Sequence, residues 1–506
     1  MAKSQRREGV VLSYANLATK TLVNLAYTPM LLAFVGQADY GVYQTCNSFV
    51  YSLSLLSFGF SAAYMRFYTL RKVRGAEEEI EILNGMFVML YAVICMLAIA
   101  VGLILAFNAG VLFTESFTRD QVELAQSLIA IMTFSIASSL FSTVFDAYIL
   151  AHEQFRFQQS RQLLTTLATP ALALGLLALG MGAVGVAWAQ LAVNLLLLTL
   201  NARFAIRRLQ MRFQLKHFDK ELFRALAVFS GWIFITQICD LVNQNVPNMI
   251  LGMLTSATVV AVFAASVQVR SVFISLSTAI SNVFVPEINR IVATSNDNRA
   301  LTGLMARVGR YQMLIFCWVY GGFVILGRFF IDKWAGPGFV DAYWMVLAMA
   351  LPLGVPLVQN TGIEIQKAKN MHHARSLVYL VMAAINVVFT WFATPVLSYW
   401  APVVAYVISI TLGNGLWMNW YYHRRVGLDM KHFWRKNLPV FLCAGVVTGV
   451  CVWGTSAIPV TGWFAFLLWG ILYSIIFAAA EIALVATQEE RALLLEAVRK
   501  LTKRSI

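Results

Sequence analysis

Apolar positions fall in long blocks along the chain rather than in alternation. Fourteen blocks run over about 10–35, 41–69, 83–107, 122–150, 161–179, 182–203, 224–253, 257–285, 308–331, 342–366, 376–398, 401–422, 437–456 and 461–486. Each is too long for a strand, and each is long enough to carry a helix across a hydrocarbon layer. Outer-membrane barrels alternate lipid-facing and lumen-facing residues over short segments, and that pattern is absent. The predicted fold class is an all-α integral membrane protein with about 14 transmembrane helices.

Composition agrees. Of 506 residues, 59% are hydrophobic and 12% are charged, about half the charged share of a soluble domain. This excludes a soluble enzyme and a disordered chain. The first block follows Lys3, Arg6 and Arg7 but lacks a small-residue cleavage site and contains Lys20 and Pro29. It reads as a retained helix rather than a signal peptide. Cys46, Cys95, Cys239, Cys317, Cys443 and Cys451 all lie in apolar runs without CxxC spacing, which argues against a disulfide framework or a metal site.

The net charge of +14 gains its meaning from placement. With the N-terminus inside and sides alternating, 32 of the 38 Lys and Arg fall in inside segments. Outside loops hold Arg119, Arg328 and Lys333, and the spans hold Lys20, Arg66 and Arg270. This is the positive-inside pattern, so both termini are expected in the cytoplasm and the basic loops report topology rather than nucleic-acid binding. The tail 488–506 sets Leu493, Leu494, Val498 and Leu501 at helical spacing among basic residues, as an interfacial amphipathic helix would.

A weak internal repeat is visible. LVNLAYTPMLL at 22–32 and LVNQNVPNMIL at 241–251 share five of eleven positions at a shift of 219. At the same shift Arg71 and Val73 meet Arg290 and Val292. Six helices separate the matched pair, so the expectation is two parallel six-helix lobes, 1–210 and 211–425, around a central cavity. The remainder, 426–506, would hold two extra C-terminal helices and the tail.

The segment GQADYGVY at 36–43, then SFGF at 57–60 and Arg66, resembles the polysaccharide-unit flippases of the Wzx type. These belong to the multidrug/oligosaccharidyl-lipid/polysaccharide exporter superfamily. Ser57 stands where members often carry an acid, and no role for that acid passes to this chain. The resemblance implies flipping of an undecaprenyl-diphosphate-linked oligosaccharide from inner to outer leaflet of a bacterial cytoplasmic membrane. The polymer served would be a lipopolysaccharide or an exopolysaccharide. It also implies membrane lipids and polysaccharide assembly proteins as partners, and no nucleic acid.

Ionisable residues inside spans are costly and mark function or tight pairing. Arg66, Asp146, Glu364 and Glu481 lie near helix ends and can snorkel. Lys20, Asp240 and Arg270 lie near helix centres. A diphosphate cargo needs cations, so Lys20, Arg66 and Arg270 are candidate substrate contacts. Lipid II flippases are similar in carrying basic residues on the corresponding helices. Asp240 is either a site for H⁺ or Na⁺ coupling or a fixed counter-ion, with Lys20 or Arg270 as a partner. Around it Gln237, Asn243 and Gln244 join the candidate set. Gln237, Asp240 and Gln244 share one helix face with Asn248, and could hydrogen-bond sugar hydroxyls. Tyr14, Asn16 and Asn24 are a weaker set, and Pro29, Pro247, Pro352 and Pro356 predict kinks.

No phosphate-binding GxxxxGK[ST] loop, HExxH or GxSxG occurs, and outside loops are too short for the external chemistry of a membrane glycosyl polymerase or ligase. No catalytic residue, cofactor or metal is expected. His372 and His373 read as a solvated loop. The competing functions are a cation-coupled drug antiporter of the same superfamily and a non-enzymatic scaffold of a glycan-assembly complex.

Overall fold

The computed structural model describes residues 2–215, 219–369, 371, 373–488 and 490–491. Among these there is no strand. Among the described residues, thirteen helical segments are long and apolar enough to cross a membrane, from Gln37–Arg74 to Trp463–Val485. They coincide with thirteen of the fourteen apolar blocks. The remaining block is the Ala2–Val35 helix, whose 34 residues reach about 51 Å. Lys20, Asn16 and Asn24 dilute its apolar content, but its length suffices to span. The tail beyond Arg491 and His372 lie outside the described residues, as does the side chain of His373.

Two compact units emerge from the packing. One comprises Met1–Ala264 with Tyr379–Ala405, the other Ala265–Val378 with Tyr406–Ile506.

In the first unit, the GQADYGVY segment is a turn and a helix start. Gly36 has φ 82°, a left-handed conformation open to glycine, and Gln37–Ser52 follows it. Asp39 sits in the first turn, where the helix dipole favours an anion. Tyr40 is buried and its hydroxyl accepts from Gln44 Nε2 at 2.7 Å. The Tyr43 hydroxyl accepts from Gln190 Nε2 at 2.8 Å, tying this helix to Gly182–Arg203. Gly41 backs onto the Ala257 carbonyl so closely that no Cβ fits. Small residues at helix contacts let backbones approach where lipid offers no hydrophobic drive.

The four prolines named as kink sites differ in their settings. Pro247 opens the Val246–Leu254 helix just after Lys220–Gln244 ends. Pro352 and Pro356 lie in Val340–Val358, which stops at Gln359 before Asn360–Ala368 begins. Pro29 lies inside an unbroken helix.

In the second unit, Asn298–Trp334 packs on Met430–Ala457, on Val340–Val358 and on Trp463–Ala480. Asp297 and Asp429 cap two of these helices by accepting from backbone N–H groups of Arg299 and of Lys431 and His432. Those two N–H bonds, with the charges of His423 and His432, hold the exposed Asp429 carboxyl below its usual range.

Candidate functional site

The predicted second span is broken, and SFGF is the break. Gln37–Ser52 passes into a tighter turn at Leu53–Ser57, and the chain restarts as Phe60–Arg74. Phe58 and Gly59 both have positive φ, 47° and 69°. The break is clamped to Lys220–Gln244. The Phe58 and Phe234 ring centroids lie 4.5 Å apart, and a Cβ on Gly59 would come 2.5 Å from Ile233 Cγ2.

Beside that clamp lies a cavity of about 320 Å³. Tyr51, Ser54, Leu55 and Ser57 supply one wall. Gln237, Asp240, Leu241, Gln244 and Asn245 supply the other. The lining is mostly side-chain amide, hydroxyl and carboxylate, suited to a ligand rich in hydroxyl groups. Asp240 and Gln244 are exposed in it. Gln237 Oε1 is buried without a hydrogen-bond partner, an unspent polar atom at the wall.

The other candidates sit elsewhere. Asn243 turns back on its own helix, Nδ2 donating to the Cys239 carbonyl at 2.9 Å. Asn248 is buried and donates to Ser48 Oγ at 3.3 Å, a helix–helix bond. Arg66 is exposed and stacks over Phe229, 4.7 Å from the ring centroid. Phe229 is three turns before Asp240, about 16 Å along the helix. Lys20 is exposed on its helix. Its neighbour Asn16 donates twice to Gln159, to the carbonyl and to Oε1, both at 2.8 Å.

Arg270 belongs to the second unit and is 5% exposed. Its guanidinium lies over Tyr406, 4.2 Å from the centroid, and Nη1 donates to Met349 Sδ at 3.5 Å. Nε is buried without a partner. A desolvated cation–π contact contributes about 2 kcal/mol, less than burying the charge costs.

Near helix ends, Asp146 pairs with Arg161 at 2.7 Å and Glu364 with Lys367 at 2.8 Å, the anchoring role open to them in the sequence. Glu481 departs from the snorkelling expectation: it is 4% exposed, inside the protein beside Cys443. Among the described residues no cluster of three or more His, Cys, Asp or Glu could hold a metal.

The residues that sequence reasoning missed are Tyr51, Ser54 and Ser57. Their signal was SFGF itself: a glycine between aromatics inside an apolar block marks a break, and a break exposes polar neighbours.

A bundle of apolar spans with a polar pocket on a broken helix defines a multi-pass membrane protein. Residues 6–292 match the family described as "Polysaccharide biosynthesis protein", and the chain belongs to that family. It is 26% identical over 291 residues to "Uncharacterized membrane protein EpsK" of Bacillus subtilis (strain 168). That alignment covers 56% of this chain and about half (55%) of the relative. The fold is similar to that of "Lipid II flippase MurJ, inward closed conformation", with TM-score 0.73 and 13% identity. The match covers 94% of this chain and 99% of that one. A multidrug resistance MATE family transporter of the MOP superfamily, in its inward-facing conformation, matches with TM-score 0.63 and 13% identity. There the coverage is 81% of this chain and 96% of the other. The chain therefore has the MurJ/MATE-like fold, and the family expected from GQADYGVY and SFGF is the family found.

Proposed function

We propose that the protein flips a lipid-diphosphate-linked oligosaccharide from the inner to the outer leaflet of a bacterial cytoplasmic membrane, by alternating access, for surface polysaccharide synthesis. The observation that carries this reading is the polar cavity around Gln237, Asp240 and Gln244, in a chain of the polysaccharide biosynthesis family. Neutral amides and hydroxyls bind sugar hydroxyls without the strong grip a charge lattice would impose, and release needs that weakness. The diphosphate travels past Lys20, Arg66 and Arg270. Two lobes, 1–210 and 211–425, give alternating access to the cargo, and 426–506 adds two helices that pack on Asn298–Trp334 outside the repeat. Both termini face the cytoplasm, where the basic loops lie. The chain does no covalent chemistry of its own.

The test is reconstitution. In proteoliposomes, wild type moves an undecaprenyl-diphosphate oligosaccharide to the leaflet where an added glycosidase can reach it. Gln237→Ala with Gln244→Ala should slow this at least tenfold while the melting temperature holds. Wild type that leaves the glycolipid on its original side would refute the reading.

A second reading, a cation-coupled drug antiporter, is favoured by the Asp240 carboxylate in the cavity wall. It predicts gradient-driven efflux of cationic dyes, lost in Asp240→Asn. In the flippase reading Asp240 couples transport to H⁺ or Na⁺. Asp240→Asn that keeps the wild-type response to an imposed gradient would end that role.

A further inference from the structure

A second site stands in the second unit and is independent of the proposed function. Its centre is Arg310, 6% exposed. Nε and Nη2 grip Glu490 in a two-point fork, at 2.8 Å to Oε1 and 2.9 Å to Oε2. Nη1 donates to the Lys436 carbonyl at 2.5 Å and Nη2 to the Val485 carbonyl at 3.2 Å. Every nitrogen of the guanidinium group is thus engaged within the protein. It ties the start of Met430–Ala457 and the end of the Trp463–Val485 span to Asn298–Trp334, and satisfies a carbonyl that the helix end would leave open.

Two hollows meet at this knot. One, of about 420 Å³, is lined by Arg307, Arg310, His432 and Lys436 together with Glu287, Tyr311, Thr487 and Glu490. Its acids are spoken for: Glu490 by Arg310, Glu287 by Arg307 at 3.5 Å. His432 and Lys436 lie one turn apart, both exposed, and neither side chain has an ion pair among the described residues. The hollow therefore carries surplus positive charge.

The other hollow, of about 360 Å³, is an almost wholly apolar groove between Asn298–Trp334 and Trp463–Val485. Leu314, Ile315, Phe477, Ala478 and Ile482 line it, and the buried Glu481 joins the lining near the Arg310 and Glu490 charges. Trp318 closes its far end by donating from Nε1 to Ser474 Oγ at 3.0 Å. Arg310 and Glu490 border both hollows. From Arg310 to Trp318 the helix runs about 12 Å, so a lipid whose headgroup meets the basic hollow can lay an acyl chain along the groove.

We propose that these two hollows together bind one anionic phospholipid. Its phosphate rests against Arg307, His432 and Lys436, and one acyl chain lies along the groove under Trp318. Charge surplus at one end and an apolar channel at the other match a phospholipid and match neither a free anion nor a neutral detergent. The Arg310–Glu490 fork holds the three elements at the spacing the site requires.

Native mass spectrometry of the full chain tests this, in micelles containing phosphatidylglycerol and phosphatidylcholine of identical acyl chains. Wild type should retain one phosphatidylglycerol with at least fivefold preference. Arg307→Gln with Lys436→Gln should abolish the preference, and Arg424→Gln with Arg425→Gln, outside the hollow, should keep it. Ala478→Trp fills the groove from an exposed position and should lose the lipid with all the cations in place. Equal retention of the two lipids by wild type would overturn the proposal. So would retention in Ala478→Trp, or displacement of the lipid by millimolar inorganic phosphate, which would mark a plain anion site.

Discussion

Gly59 lies against Ile233 so closely that a Cβ would fall 2.5 Å from Ile233 Cγ2, and its φ of 69° is left-handed. The two constraints act together at the break that shapes the polar cavity.

They can be separated. Gly75 has the same φ, 69°, and a methyl group there would meet nothing within 4 Å. Gly75→Ala should cost about 1 kcal/mol, the conformational penalty alone. Gly59→Ala should cost about 2–4 kcal/mol, because the clash with a β-branched neighbour adds to it. Thermal melting in one detergent compares them, and equal losses would show that Ile233 gives way freely. Gly59→Ala should also reduce transport, since it displaces the wall formed by Ser54 and Ser57.

Arg270 separates binding from packing. Its charge is buried over Tyr406, with Nε unpaired. Arg270→Met keeps the bulk and removes the charge, so it should melt at or above the wild-type temperature. It should nonetheless lose glycolipid flipping. Arg270→Lys should insert normally and flip at least tenfold more slowly, because a point charge replaces a planar fork poorly. Wild-type transport by Arg270→Met would leave the residue a packing role only.

Glu490 gives a pH signature. Burial is the strongest single influence on its carboxyl and pushes it up. The Arg310 hydrogen bond, the Thr487 N–H at 2.8 Å and the Arg310 charge outweigh that and hold it below the usual carboxylate range. A depressed carboxyl stabilises the fold above its unfolded value, about 4.3, and that contribution drains away as pH falls through the folded value. At pH 7, Glu490→Gln should therefore cost about 2–3 kcal/mol, since it strands the buried Arg310. The gap in melting temperature between wild type and variant should narrow progressively as pH falls below about 4.3. A gap that stays constant across that acid range would assign the effect to shape.

Much of the fold was legible in the amino-acid pattern. Apolar blocks of span length and the one-sided placement of Lys and Arg follow from the cost of putting backbone and charge into hydrocarbon, which each segment meets locally. The face shared by Gln237, Asp240 and Gln244 was legible for the same reason: helical period is a local property. What their side chains meet was not. Asn243, one position before Gln244, bonds its own helix, while Asn16 and Asn248 bond neighbouring helices. Arg66 and Arg270 lie over Phe229 and Tyr406, far from either in sequence. Tyr51, Ser54 and Ser57 join the cavity only because Phe58 and Gly59 turn the chain and Ile233 and Phe234 hold the turn. The pairing of Arg310 with Glu490 likewise spans most of the second unit. Sequence determines which segments enter the membrane, since that is decided residue by residue against one solvent. Tertiary structure decides which polar atoms are left unspent, since that depends on partners the chain brings from a distance.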